Sequence, residues 1–446
     1  MDQIRQELGK EYFEKEKAKR RLSKERKLVF VKPAAKTKKM VYVKIGLVRT
    51  DGSVEFKCST NFTVKTRGNQ ILVGQGLAGE SYTILHSGEN KLLITNEKKE
   101  NMIIDESVVI NPAKPEGTVT IFDVKFGKNN FWSSSEDRSY RGKMEVSIDN
   151  GIIKIINILS LEEYLYGVVP AEMPANWPLE ALKAQAVAAR SESIAKLGRH
   201  RSDGFDLCAE VHCQVYSGVE KETQLSNMAV DLTRGIILEY GSKAVDAIYS
   251  SGCGGHTQDN IFGSPGAAPY FTGTVDSNDG QKLVFPLSPF ELESWLKDPP
   301  SGIYCNIPEY NKPSNFRWVR IYSPEQLRQM IDKVSGVGEI RKIIILKRNK
   351  SGHVDKLKIV GTESTSIIEK ELNIRRALGN LRSSMFKVEI RFGQDRLPKE
   401  FVFYGGGWGH GVGMCQAGSC GMAKAGKIYQ EILQHYFSLA HLKKAY

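Results

Sequence analysis

The chain has 446 residues, 41% hydrophobic and 26% charged. That balance suits globular domains, and the length allows two or three of them around a sizeable buried core. No apolar run approaches the roughly 20 residues that span a bilayer, and the seven cysteines are too few and too scattered for a disulfide scaffold.

Residues 1–39 read as a charged helix and a linker closing on KPAAKTKK. The first 40 residues hold 14 Lys/Arg against 6 Asp/Glu, a surplus of 8 within a net charge of +12. A basic segment of this kind suits contact with a membrane surface or an anionic wall polymer, and equally a solvated leader. It does not carry an assignment to nucleic acid. The first 30 residues are charged throughout and contain neither a signal-peptide core nor an anchor. The protein is therefore expected to be cytoplasmic, or to begin after a removed leader.

From Val41 to about Ile158 the pattern is β. The short apolar runs VYVKIGLV, QILVGQ, SYTILH, KLLITN, GTVTIF, KMEVSI and IIKIINI are separated by DG, GN, GEN and DNG turns. Helical signals then take over. Ser160 followed by Glu162 and Glu163 predicts an N-cap with acids in the first turn. Asn176, Pro178 and Glu180 mark a second start, and ALKAQAVAAR has high helix propensity and small side chains. Residues 205–280 are mixed. From about 285 to 385, helical patterns (PFELESWLK, PEQLRQMIDKV) alternate with strands (EIRKIIILKR, HVDKLKIVG), and YQEILQHYF closes the chain as a helix.

Four stretches carry chemistry. In VVPAEMPANW, prolines 170 and 174 restrict the backbone around Glu172 and disfavour helix before each. A carboxylate held there beside Val168, Val169, Met173 and Trp177 would be partly desolvated, which raises its pKa as a general acid requires. The bland alternative is a loop glutamate paired with a lysine. Glu162, Glu163 and Glu180 need no function, because the helix dipole explains them.

In RHRSDGFDLCAEVHC, His200, Cys208, His212 and Cys213 form the ligand set of a Cys2His2 metal site. A short-loop disulfide between Cys208 and Cys213, or unrelated buried thiols, are the alternatives. Four protein ligands would leave no place for water, so a zinc held there would be structural. In AIYSSGCGGHTQDN, Ser250, Ser251, His256 and Gln258 offer hydrogen bonds to sugar hydroxyls, and the glycines allow close approach. No G-x-S-x-G elbow supports a serine nucleophile. GGGWGHGVGMCQAG lacks the Gly-Lys-Ser/Thr of a phosphate loop and bends closely around Trp408, His410 and Gln416, or is a glycine-rich turn under a core tryptophan.

In this order, LEEYLYGVVPAEMP, EALKAQAVAAR, HCQVYSG, SSGCGGHT, FRW, LRSS and GWGHGVGMCQAG resemble the SpoIID/LytB family over roughly residues 140–440. The resemblance implies a lytic transglycosylase that cuts peptidoglycan glycan strands stripped of stem peptides. Glu172 would be the acid, and Arg190 would lie in the substrate groove. Gln214, Ser251, His256, Trp408, His410 and Gln416 would meet the glycan. His200, Cys208, His212 and Cys213 would hold a zinc. It also implies an extracytoplasmic, wall-associated protein with a cell-wall amidase as partner. The family usually continues after the Ala-Arg with Thr-Tyr, where Ser191 and Glu192 stand here.

Only one carboxylate lacks another explanation, which suits a transglycosylase better than a hydrolase that needs two. The rival expectation is a non-enzymatic wall binder that enhances an amidase; a third is a metal-dependent hydrolase. The expected architecture is α+β with two lobes and a β-rich N-terminal region. It divides into a basic segment (1–39), a β-rich region (40–140), a first part of the core (141–284), an inserted α/β lobe (285–385) and a C-terminal part (386–446). The groove is expected where the lobes meet.

Overall fold

Alternation of apolar and polar residues builds the N-terminal half. In strand Val54–Cys58, Val54, Phe56 and Cys58 face inward and Glu55 and Lys57 face out, because successive side chains in a strand point to opposite sides. The computed structural model describes residues 40–68, 70–88, 91–127, 133–259, 268–278 and 286–446. The basic segment 1–39 and its membrane contact therefore lie outside the described residues. From Met40 onward the described residues form one compact unit.

All seven apolar runs read as strands are strands. A seven-stranded sheet has the order Leu207–Cys208, Tyr42–Thr50, Ile152–Ser160, Lys143–Asp149, Val108–Pro112, Phe62–Thr66 and Leu72–Gly76. A six-stranded sheet has the order Ser134–Tyr140, Val119–Phe126, Val54–Cys58, Ser81–His86, Leu92–Asn96 and Asn101–Ile104. They face each other across Phe56, Phe62 and Tyr82, with Phe62 edge-on to both other rings at 5.7 and 5.0 Å. The DNG turn pairs Asp149 with Ile152. Asn150 and Gly151 both take positive φ (50° and 77°), the geometry that matches a hairpin to strand twist. The first sheet joins strands on both sides of residue 140, so the β-rich region runs on to Ser160.

Helix α1 (Leu161–Glu172) follows directly. Ser160 caps it in a capping box with Glu163, as expected. Helix α2 (Leu179–Ala195) is buried at every residue from Ala181 to Ser193. Its alanines let neighbours approach on all sides: α1, α3 (Gln224–Leu232), strand Ile236–Tyr240 and, from the far end of the chain, α7 (Gln416–Lys424) and α8 (Tyr429–Tyr436).

A second hydrophobic core gathers Trp318, Leu327, Ile340, Leu357, Ile374, Phe386, Phe401 and Phe403. It is built from two three-stranded sheets, Arg317–Tyr322/Pro398–Gly406/Phe386–Phe392 and Ile340–Arg348/Val354–Gly361/Thr365–Glu369. Helices α5 (Pro324–Ile331) and α6 (Glu371–Ala377) cover it. This core therefore extends past residue 385. Helix α4 (Pro289–Lys297) instead sends Leu292, Trp295 and Leu296 into the first core. The fold is α+β with a β-rich N-terminal region.

Candidate functional site around Glu172

Glu172 is the last residue of α1, not part of a turn between two prolines. Pro170 stands inside the last helical turn, where it removes one amide donor, and Met173 N–H still reaches the Val169 carbonyl at 3.0 Å. The helix stops at Met173, which is extended (φ −133°, ψ 137°) as a residue before proline must be.

Three consequences meet at the carboxyl. Burial is the largest influence and raises its pKa; the Val215 N–H opposes it, the Glu192 charge adds to it, and Lys221 opposes it, leaving a value of about 7. Val215 N–H donates to Glu172 Oε1 at 2.6 Å. A helix C-terminus with no basic residue in its last turn is itself a poor place for negative charge. The residue as a whole remains partly exposed.

Gln416, the first residue of α7, donates from Nε2 to the Glu172 carbonyl at 3.0 Å and to Gln185 Oε1 at 3.2 Å. It is nearly buried and positions the glutamate's backbone instead of facing solvent. Strand Tyr249–Ser250 runs parallel to Met414–Cys415, which brings the SSG stretch and the glycine-rich loop together. Gly252 and Trp408 exchange backbone hydrogen bonds at 2.9 and 2.8 Å. Ser251 is exposed, and Trp408 is 38% exposed with the Arg382 guanidinium 4.6 Å from its ring centroid.

Gly407, Gly409, Gly411 and Gly413 all have positive φ, so the loop needs glycine at every second position. His410 is bracketed on both sides: Nδ1 accepts from Val412 N–H at 3.1 Å and Nε2 faces the Tyr249 carbonyl at 2.9 Å. Burial lowers its pKa to about 4, so it is a neutral brace for the loop. His256 is also buried, bonds the Thr257 carbonyl through Nδ1 at 2.6 Å, and is likewise lowered to about 4 by burial.

Two further expected glycan contacts are buried. Arg190 is 0% exposed and pairs with Glu162 through two bonds, Nε–Oε1 at 3.0 Å and Nη2–Oε2 at 2.7 Å. Its guanidinium ties α2 to α1 and lines no groove. Gln214 is 2% exposed; its amide donates to the Ala189 carbonyl and Glu192, and its oxygen accepts from Ser193. Both side chains are consumed inside the core. The sequence did not single out three other residues. Tyr164 and Tyr249 are buried phenols whose pKa values rise, first from burial and then in part from the Glu172 charge. Arg382 lies within the LRSS stretch and sits over Trp408.

His200, Cys208, His212 and Cys213 come together with one ligand atom each within 4.8 Å of the others. Cys213 Sγ is 3.5 Å from His200 Nε2 and 3.9 Å from His212 Nδ1, and Cys208 Sγ is 3.8 Å from His212 Nδ1. A tetrahedral ion with bonds of about 2.3 Å to sulfur and 2.05 Å to nitrogen separates such atoms by about 3.6 Å. The other nitrogen of His200 faces Asp203 Oδ2 at 3.3 Å, the carboxylate–histidine arrangement that orients metal ligands. The residues fit a metal ion.

A family model described as stage II sporulation protein, SpoIID, matches residues 149–240, and one described as a domain of unknown function, DUF8618, matches residues 266–413. An uncharacterised protein of Brachyspira hyodysenteriae is 32% identical over 302 residues, covering 67% of this chain and 71% of that protein. The amidase enhancer of Bacillus subtilis is 30% identical over 61% of this chain and 39% of its own length. Stage II sporulation protein D of Bacillus subtilis is 28% identical over 64% of this chain and 75% of its own. The chain belongs to the SpoIID/LytB family.

Proposed function

We propose that this protein is a peptidoglycan lytic transglycosylase whose single acid–base group is Glu172. The observation that carries the reading is the placement of the carboxyl at the end of α1, fixed by Val215 N–H and, through its backbone, by Gln416, where burial raises its pKa to about 7. Protonated Glu172 gives its proton to the oxygen between N-acetylmuramic acid and N-acetylglucosamine as that C–O bond breaks. The muramoyl C6 hydroxyl attacks the same carbon, and its proton returns to Glu172. The products are a 1,6-anhydro end and a free sugar hydroxyl, with no water consumed.

General acid–base catalysis contributes about 10²–10⁴-fold, so positioning of the strand must supply much of the remainder. Trp408 and Ser251 are exposed beside the loop that reaches α7 and offer a stacking face and a hydroxyl for the glycan. A zinc held by His200, Cys208, His212 and Cys213 would be structural, since four protein ligands leave no position for a reacting water. The substrate of this reading is peptide-free glycan at the cell wall.

The name of one relative, amidase enhancer, favours a second reading, in which the same surface binds the wall and stimulates an amidase. Incubation of denuded glycan strands with the protein, followed by mass spectrometry, separates the two. Wild type should release anhydro-muramoyl ends and Glu172→Ala should release none. Wild type that binds glycan without forming such ends is an enhancer.

A further inference from the structure

Cys253, Asp276, Cys305 and Cys415 come from four separate segments and meet in the first core, each 0–2% exposed. One ligand atom from each lies within 4.8 Å of the others. Cys253 Sγ is 3.8 Å from Cys305 Sγ and 3.3 Å from Asp276 Oδ2. Bonds of about 2.3 Å from sulfur to a tetrahedral zinc put two sulfurs about 3.8 Å apart, and a sulfur and a carboxylate oxygen about 3.6 Å apart.

The surroundings are arranged for thiolates. Backbone N–H groups of Cys253 and Gly418 each donate to Cys415 Sγ at 3.2 Å, and Gly255 N–H donates to Cys253 Sγ at 3.4 Å. Cys415 is also the N-cap of α7, where the helix dipole favours negative sulfur. Tyr436 donates its hydroxyl to Asp276 Oδ1 at 2.6 Å, which leaves Oδ2 turned toward the sulfurs, as outer partners orient a metal-binding carboxylate. The Arg317 guanidinium donates to the carbonyl of Gly254, the residue after Cys253, at 3.0 Å. Once deprotonated, three sulfurs and a carboxylate this close would need a cation to offset their buried charge.

We propose that Cys253, Asp276, Cys305 and Cys415 bind a divalent metal ion of the zinc class in a closed, structural site, separate from the His200 cluster. The ion fixes the start of α7. Because Gln416 follows Cys415 directly and holds the Glu172 carbonyl, the site braces the segment that positions Glu172. The assignment itself does not depend on the reaction proposed for Glu172.

The test is a metal count by inductively coupled plasma mass spectrometry on the full chain purified with zinc present. With both clusters filled, wild type carries two ions, and Cys305→Ser, Asp276→Ala and His212→Ala each carry one. A wild-type count of one that survives His212→Ala and disappears with Cys305→Ser also upholds the site. Should Cys305→Ser fold poorly, His212→Ala protein refilled with cobalt decides: a thiolate-to-cobalt charge-transfer band is expected. No bound metal in His212→Ala, or an unchanged count in folded Cys305→Ser, overturns the proposal. So does a peptide map of the unreduced protein that finds a disulfide between two of Cys253, Cys305 and Cys415.

Discussion

Glu172→Gln should make the protein more stable, and by an amount that grows with pH. In the folded chain burial holds the carboxyl at about 7 against an ordinary value of 4.5. The folded state therefore binds this proton more tightly than the unfolded one. At pH 4 both states are protonated and the wild type loses nothing. Between pH 4.5 and 7 the unfolded chain ionises first, and stability falls as pH rises. Above pH 7 the full penalty applies. Raising the carboxyl from 4.5 to about 7, at about 1.36 kcal/mol for each tenfold change in proton affinity, corresponds to roughly 3 kcal/mol, a ceiling for a residue that is partly exposed.

Glutamine is neutral throughout and keeps an oxygen for the Val215 N–H. The variant should match wild type at pH 4 and exceed it by up to about 3 kcal/mol at pH 8. For a chain of 446 residues, with an unfolding entropy of about 2.1 cal/mol/K per residue, that is a rise in Tm of about 3 °C. Scanning calorimetry of both proteins at pH 4, 6 and 8 reads the difference. An offset that is the same at every pH would mean an ordinary hydrated carboxylate and would refute the desolvation account.

Two further substitutions separate glycan contact from core structure. Trp408→Ala should weaken binding to denuded glycan about fivefold, by loss of stacking worth about 1 kcal/mol, with Tm unchanged; isothermal titration and calorimetry read the two separately. Arg190→Met leaves Glu162 buried without its partner and should cost about 3–5 kcal/mol in urea unfolding, with glycan affinity of the folded fraction unaffected. Full stability with selective loss of glycan affinity would return Arg190 to the substrate.

Local patterns were legible where the chain itself imposes them. Seven strands, the Asn150-Gly151 hairpin and the Ser160 cap read directly from neighbouring residues, while Val54–Cys58 and Phe62–Thr66 alternate inward but were not among the runs read. The prominence of Glu172 was legible too, although the helix end that carries it was not, since a proline in a last turn costs only one donor. Strand Ser134–Tyr140 was invisible because it lies at the edge of its sheet and four of its residues are exposed. Arg190 and Gln214 were assigned to the glycan by the family resemblance, and the chain gave no local sign against it because their partners, Glu162 and Glu192, lie 28 and 22 positions away. The second cysteine cluster had no spacing signature at all, with Cys253 and Cys415 separated by 162 positions.

The carboxylates around Glu172 decide which reaction classes suit the site. A two-carboxylate hydrolase needs a second acid about 5 to 9.5 Å from the first. On α1 and α2 each neighbour is committed elsewhere: Glu162 to Arg190, Glu163 to Ser160, and Glu180 to Lys183 and the Tyr429 amide. Glu192 is the one whose charge reaches Glu172, yet it is 5% exposed and bonded to Lys196 and Gln214. As a like charge it can only raise the Glu172 pKa; as a nucleophile it would have to abandon both partners. Glu192→Gln tells these roles apart, because Lys196 keeps Asp246 at 3.1 Å and the fold keeps its bridge. If Glu192 acts by charge alone, the pH above which activity falls should move down from about 7, with anhydro ends still the product. Loss of turnover at every pH, with folding intact, would make Glu192 a reacting group and the single-acid reading wrong.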